Sequence, residues 1–124
     1  MIKITIPDEL YKERLDTLEG MAIDALWGVS CPNEDIYNME FPFEKQKAYF
    51  LLFLMYFLES GKIKLGKHGQ FLEGTIEEQI NRYRAAFPET EEEWVRRNEE
   101  IWFYEEDCPG GIVWIGDDDS EDWT

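Results

Sequence analysis

The longest apolar run in the chain, AYFLLFLMYFL from Ala48 to Leu58, is eleven residues without a charge. A bilayer-spanning helix needs about 18 or more such residues, so this stretch belongs in a protein core. It lies in a helix expected to start near Phe43 and stop at Gly61, a residue suited to a left-handed helix end. Because the run is apolar all round, that helix must sit centrally, with other elements packed on several of its faces.

The rest of the chain is read as what covers this helix. Ile2 to Ile6 alternates like a short strand or extended lead-in. Pro7-Asp8 then opens a helix expected to run to Trp27, with Leu15, Leu18, Ala22, Ala25 and Leu26 at helical spacing and Met21 beside them. Gly20 interrupts that pattern and allows a kink or a close contact. From Gly28 to Pro42 the sequence reads as a loop with about one helical turn. Lys62 to Leu65 alternates as a strand, Lys67 to Gln70 as a turn, and Phe71-Leu72 is placed to pair back. Thr75 with Glu78 forms a capping box for a third helix that ends before Pro88. Thr90 with Glu93 repeats it for a fourth helix, expected to run through Trp94 and Ile101. Gly110 to Gly116 reads as a strand after the turn at Cys108 to Gly111. No internal repeat or Pro/Gly/Ser linker divides the chain, so one globular domain over residues 1–124 is expected. The expected fold class is mainly α with a small β element (α+β), about four helices around a central apolar one.

Charge limits the partners. The formal net charge is −16, with aromatic residues making up 15% of the chain, a composition of a packed acidic protein rather than a disordered tail. Residues 1–88 carry fourteen acids and ten bases, whereas residues 89–124 carry fourteen acids and two bases, net −12. Direct binding to nucleic acid or an anionic membrane needs a basic footprint and is not expected. A basic protein partner is expected, with solubility as the plain alternative use of the charge. The start of the chain lacks a secretory pattern, and Cys31 and Cys108 are read as reduced thiols of a cytoplasmic protein.

Candidate chemistry is sparse. The acid run Asp117 to Asp122 superficially resembles a calcium loop but lacks the glycine at its sixth position and a glutamate at its twelfth. Cys31, Cys108 and His68 have no zinc-type spacing. His68 lies among Lys62, Lys64 and Lys67 and reads as a surface residue, its lysines ion-paired with Glu59, Glu73 and the acidic tail. No phosphate-binding glycine motif is present. No catalytic residue, cofactor or metal is therefore expected; an enzyme using Cys108 or His68 is the remote alternative.

Docking is the stronger reading. Glu105, Glu106, Asp107, Asp117, Asp118, Asp119, Glu121 and Asp122 flank the apolar strand GIVWI and form the candidate partner-binding set. Trp102 and Trp114 are expected in the core, and Trp123, among acids next to the last residue, as an exposed anchor.

The stretches DALWGVSCP, ESGKIKLGKHGQFLEGTIEEQI, PGGIVWI and the final DWT together resemble a family of small acidic bacterial proteins known as domain of unknown function 596, over roughly Leu18 to Thr124. The family supplies no catalytic residues to carry over. Small proteins of this type resemble immunity proteins of contact-dependent growth inhibition and other polymorphic toxin systems. That resemblance implies an antitoxin that binds a toxin C-terminal domain, such as a nuclease, and occludes its basic groove. An acidic soluble adaptor unrelated to toxins is the alternative.

Overall fold

The computed structural model describes residues 4–124. Its helices are α1 (Asp8–Thr17), α2 (Ile23–Gly28), α3 (Phe43–Glu59), α4 (Ile76–Ala86) and α5 (Glu91–Arg96), with 3-10 turns over Asn33–Asp35 and Glu99–Tyr104. Four antiparallel strands, β1 (Ile63–Lys67), β2 (Gln70–Phe71), β3 (Gly111–Ile115) and β4 (Glu121–Trp123), form one sheet in the order β2-β1-β3-β4. This is the expected α+β class.

The central position of α3 follows from its composition. It packs against α1, α2, α4 and β1. Phe50, Phe53, Leu54 and Phe57 are fully buried, while Tyr49, Leu52, Met55 and Tyr56 are half-covered at the core margin. At its end Gly61 takes φ +78 and donates to the Leu58 carbonyl, the left-handed stop that a Cβ would strain. β1 follows, and His68 (φ 53) with Gly69 (φ 77) makes the two-residue turn into β2. Leu72 extends the pairing by donating to Leu65 O.

In the sheet, Ile63 faces Trp114 and Leu65 faces Ile112, so these four side chains share the face turned to the core. Trp114 meets Phe57 at 6.3 Å between ring centroids. α4 begins with the full capping box: Glu78 N–H donates to Thr75 Oγ1, and Thr75 N–H donates to Glu78 Oε1. α5 uses the forward bond, Glu93 N–H to Thr90 Oγ1.

Two expected helices are shorter than their apolar spacing implies. The helix expected from Asp8 to Trp27 is two helices, because Gly20 sits at φ +83 and turns the chain between them. The turn leaves the Met21 carbonyl free to accept a bond from Trp114 Nε1 at 2.8 Å, a contact to β3 that a continuous helix would forbid. Met21, placed beside the apolar face, is half-exposed. The helix expected through Ile101 stops at Arg96, where Asn98 (φ 66) and Glu99 (φ 54) adopt left-handed conformations. In a straight helix, eight residues span about 12 Å. The reversal instead brings Trp94 and Trp102 to 6.5 Å and buries both. The expected lead-in over Ile2–Ile6 falls partly outside the described residues, and from Ile4 to Ile6 the chain forms no strand.

Candidate functional site

The two acidic stretches of the last third lie at opposite ends of β3. Gly111, at its start, pairs with Gly66 beside the β1–β2 turn; Ile115, at its end, pairs with Glu121 across the β3–β4 hairpin. Five residues of strand extend about 17 Å, so the eight candidate carboxylates form two groups rather than one cluster.

The first group is paired with cations of the same chain. Arg97 Nη2 bridges Glu105 Oε2 at 2.9 Å and Asp107 Oδ2 at 2.7 Å. Those two hydrogen bonds raise the guanidinium's pKa further. Glu106 lies 3.2 Å from His68 Nε2 and 3.6 Å from Lys67 Nζ, and these neighbours, His68 first, hold its carboxyl below the usual range. Lys67 also donates to the carbonyls of Glu106 and Cys108. Within the lysine island, Lys67 is thus tied to Glu106, none of its lysines pairs with Glu59 or Glu73 among the described residues, and Lys64 sits 4.8 Å over the Phe71 ring.

The second group is different. Gly116 N–H donates to Ser120 O, Asp119 (φ 63) closes the turn, and Ser120 N–H donates to Asp118 Oδ1. The bonds from Ser120 keep the Asp118 carboxyl below its ordinary value. Asp117, Asp118, Asp119, Glu121 and Asp122 are all exposed, and none forms an ion pair with a cation among the described residues. Lys62 lines the same groove of about 240 Å³, with Glu19, Asp117 and Asp122, without closing on any of them. β4 is also the outer strand of the sheet, so this negative ridge borders an open edge.

Trp123, expected as an exposed anchor, is exposed on one side and packed against the sheet on the other. Its indole stacks on Phe71 at 5.3 Å and 17° and donates to Glu121 Oε1. It crosses Gly66, where an added Cβ would stand 2.5 Å from Trp123 Cζ3 and 3.0 Å from Val113 Cγ2. Val113 is 1% exposed yet lies outside the main core; the indole is its cover. Trp123 retains 40% exposure as the lid of a small second cluster on the outer face of the sheet. Gly66→Val is therefore expected to lift the indole, red-shift tryptophan emission and cost about 1–3 kcal/mol by overpacking. In a double-mutant cycle, Trp123→Ala should remove most of that cost. Unchanged emission and melting in Gly66→Val would mean that the indole does not rest there.

Neither thiol is set up as a nucleophile. Burial pushes Cys31 and Cys108 up, which disfavours the thiolate. Cys108 Sγ lies 3.1 Å from the buried Tyr83 hydroxyl, which donates to Gly110 O at 2.7 Å, whereas His68 turns to Glu106. Among the described residues no three His, Cys, Asp or Glu side chains converge as a metal site, and no helix is long and apolar enough to cross a membrane.

The family model described as Protein of unknown function, DUF596 matches residues 58–124. The chain belongs to this family. The DUF596 match takes in the whole sheet, α4, α5 and both acidic groups, and begins later than the Leu18 start suggested by the sequence resemblance. Among solved structures, the chain is similar to an uncharacterized protein conserved in bacteria from Neisseria meningitidis. That likeness is 25% identical over 94% of this chain and 91% of that one, with a TM-score of 0.69. No curated protein matches.

One exposed feature escaped the sequence reading. In the loop between α2 and α3, Tyr37 is 95% and Met39 99% exposed. The available signal was apolar residues alternating with acids inside a proline-bracketed loop, PNEDIYNMEFP, which periodicity alone cannot assign to core or surface.

Proposed function

We propose that this DUF596 protein is a cytoplasmic immunity protein, a binding module that neutralises a toxin domain by stoichiometric occlusion. The toxin class that suits it best is a nuclease, whose groove must be cationic to hold phosphates. The observation that carries the reading is the β3–β4 hairpin: five exposed carboxylates on a sheet edge with no described cation paired to them. Desolvating an acid already ion-paired at home gains little on binding, so Glu105, Glu106 and Asp107 contribute less than the hairpin. Unpaired surface carboxylates, by contrast, steer a basic partner and speed its encounter toward about 10⁸–10⁹ M⁻¹s⁻¹ at low salt.

The test uses the C-terminal domain encoded by the gene immediately upstream. Mixed with this protein, its nuclease activity should titrate away at one-to-one stoichiometry. Charge reversal of the hairpin (Asp117→Lys, Asp118→Lys and Asp119→Lys together) should slow association about 10–100-fold at low salt and flatten its salt dependence, with little change in off-rate. An unaltered on-rate and salt slope would remove the hairpin from the docking face. An upstream domain that is inert, or that does not bind, would remove the immunity role.

A further inference from the structure

The hairpin's tryptophan is partly committed to Phe71 and Gly66 and keeps 40% exposure. Interfaces draw their affinity from a few aromatic or other large apolar groups, with surrounding acids or bases adding rate and selectivity. The most exposed large apolar side chains described are Tyr37 and Met39, at 95% and 99%. Both belong to residue types enriched at interface cores. They project from one short loop with Glu34, Asp35 and Glu40, and no basic residue lies between Pro32 and Pro42.

The loop is built rather than slack. Its base is held by the buried Arg14, which donates to Val29 O, Cys31 O and Asn33 Oδ1 at 3.0, 2.9 and 2.8 Å. Its tip is closed by Asn38, whose Nδ2 donates to Asp35 Oδ1 and whose Oδ1 accepts from Glu40 N–H. Its far end is pinned by the edge-on contact of Phe41 with Tyr49 at 6.0 Å. A loop ordered in advance loses little conformational freedom on binding. Holding Tyr37 and Met39 out in water contributes nothing to the fold, so the order around them calls for a use outside it.

We infer that the loop over residues 33–41 is the anchoring surface for the basic protein partner, with Tyr37 and Met39 as its contact residues and Glu34, Asp35 and Glu40 selecting for positive charge around them. The inference rests on the immunity reading and deepens it: the hairpin steers, and the loop holds. The hairpin follows the sheet at the C-terminal end of α3, whereas the loop precedes its N-terminal end. The two are separate stretches of the chain with α3, β1, β2, α4 and α5 between them in sequence, so each can be altered without touching the other.

The full chain and the C-terminal domain encoded by the upstream gene serve as the two components. Met39 and Met21 report on different surfaces, because Met21 adjoins Gly20 in the hairpin groove. Under mild peroxide, complex formation is expected to slow Met39 sulfoxide formation at least about 10-fold. The double variant Tyr37→Ala, Met39→Ala is expected to melt like the wild type and to bind about 100-fold more weakly, chiefly through a faster off-rate. A complex in which Met39 oxidises at its free rate, or which the double variant forms as tightly as the wild type, overturns the loop and leaves the immunity role standing. Protection of Met39 in the protein alone as its concentration rises would identify a second copy as the occupant and overturn the basic-partner assignment. Failure of the wild type to bind the upstream domain overturns both readings.

Discussion

Phe87→Ala is expected to cost about 3–5 kcal/mol of folding free energy, the range for truncating a buried phenylalanine. Phe87 follows the last turn of α4 and is 1% exposed. The rings of Trp27, Phe43, Phe50, Trp94, Trp102 and Phe103 surround it at 4.8 to 6.2 Å between centroids, with Trp94 stacked at an interplanar angle of 8°. These rings come from α2, α3, α5 and the Glu99–Tyr104 turn, so Phe87 is where four separate segments meet. Truncating it leaves a cavity that rigid indoles cannot collapse to fill. A domain of this size commonly has about 5–15 kcal/mol in all, so the variant should show a much lower urea midpoint and weakened near-ultraviolet aromatic dichroism. A loss under about 1 kcal/mol, the middle of the range for arbitrary substitutions, would mean that the ring is not central.

Arg14→Met is the second large effect, expected at about 2–4 kcal/mol, or on the order of 10 °C in melting temperature. The methionine keeps the apolar stem but abandons four acceptors, Val29 O, Cys31 O, Asn33 Oδ1 and Glu13 Oε1. The guanidinium is only 3% exposed and also lies 5.8 Å over the Phe53 ring. Removing a desolvated charge recovers some free energy, yet the lost bonds outweigh it: Cys31 O loses its described donor, and Val29 O keeps only the bond from Cys31 N–H. Lysine should fail almost as badly, since one ammonium cannot reproduce the guanidinium fork. Hydrogen exchange should quicken first at residues 29–38, next to the lost bonds. A variant that melts with the wild type and keeps that segment protected would show that the loop base holds without Arg14.

Neither residue stood out in the sequence. Arg14 sits one position from Leu15 on an amphipathic helix and reads as an ordinary surface charge; only the return of the chain at Val29 to Asn33 surrounds it with acceptors. Phe87 lies just outside the helical spacing of α4, where periodicity assigns no inward side. The acidic set was legible as composition, but its division was not. Glu105, Glu106 and Asp107 look like Asp117 to Asp122 in sequence and differ only because Arg97, Lys67 and His68 fold against the first three. Trp123 was similarly ambiguous: a tryptophan among acids beside the last residue suggests exposure, and what partly covers it is a glycine two strands away.

Where local interactions suffice, the residues alone determined the outcome. The apolar run of α3 made that helix central, Gly61 stopped it, Thr75 and Thr90 started two others, alternation marked β1, and an apolar run after a turn marked β3. Each depends on groups within a few positions of one another, so the pattern holds whatever the rest of the chain does. Tertiary structure decided where helices of suitable spacing would break, which acids would be neutralised and which apolar side chains would be left in water. At Gly20 and Asn98 the local cost of leaving the helix is small, and distant partners tip the balance: Trp114 bonding to the Met21 carbonyl in one case, Trp94 meeting Trp102 in the other. Contacts between residues far apart in sequence carry free energies as large as local propensities but leave no periodic trace.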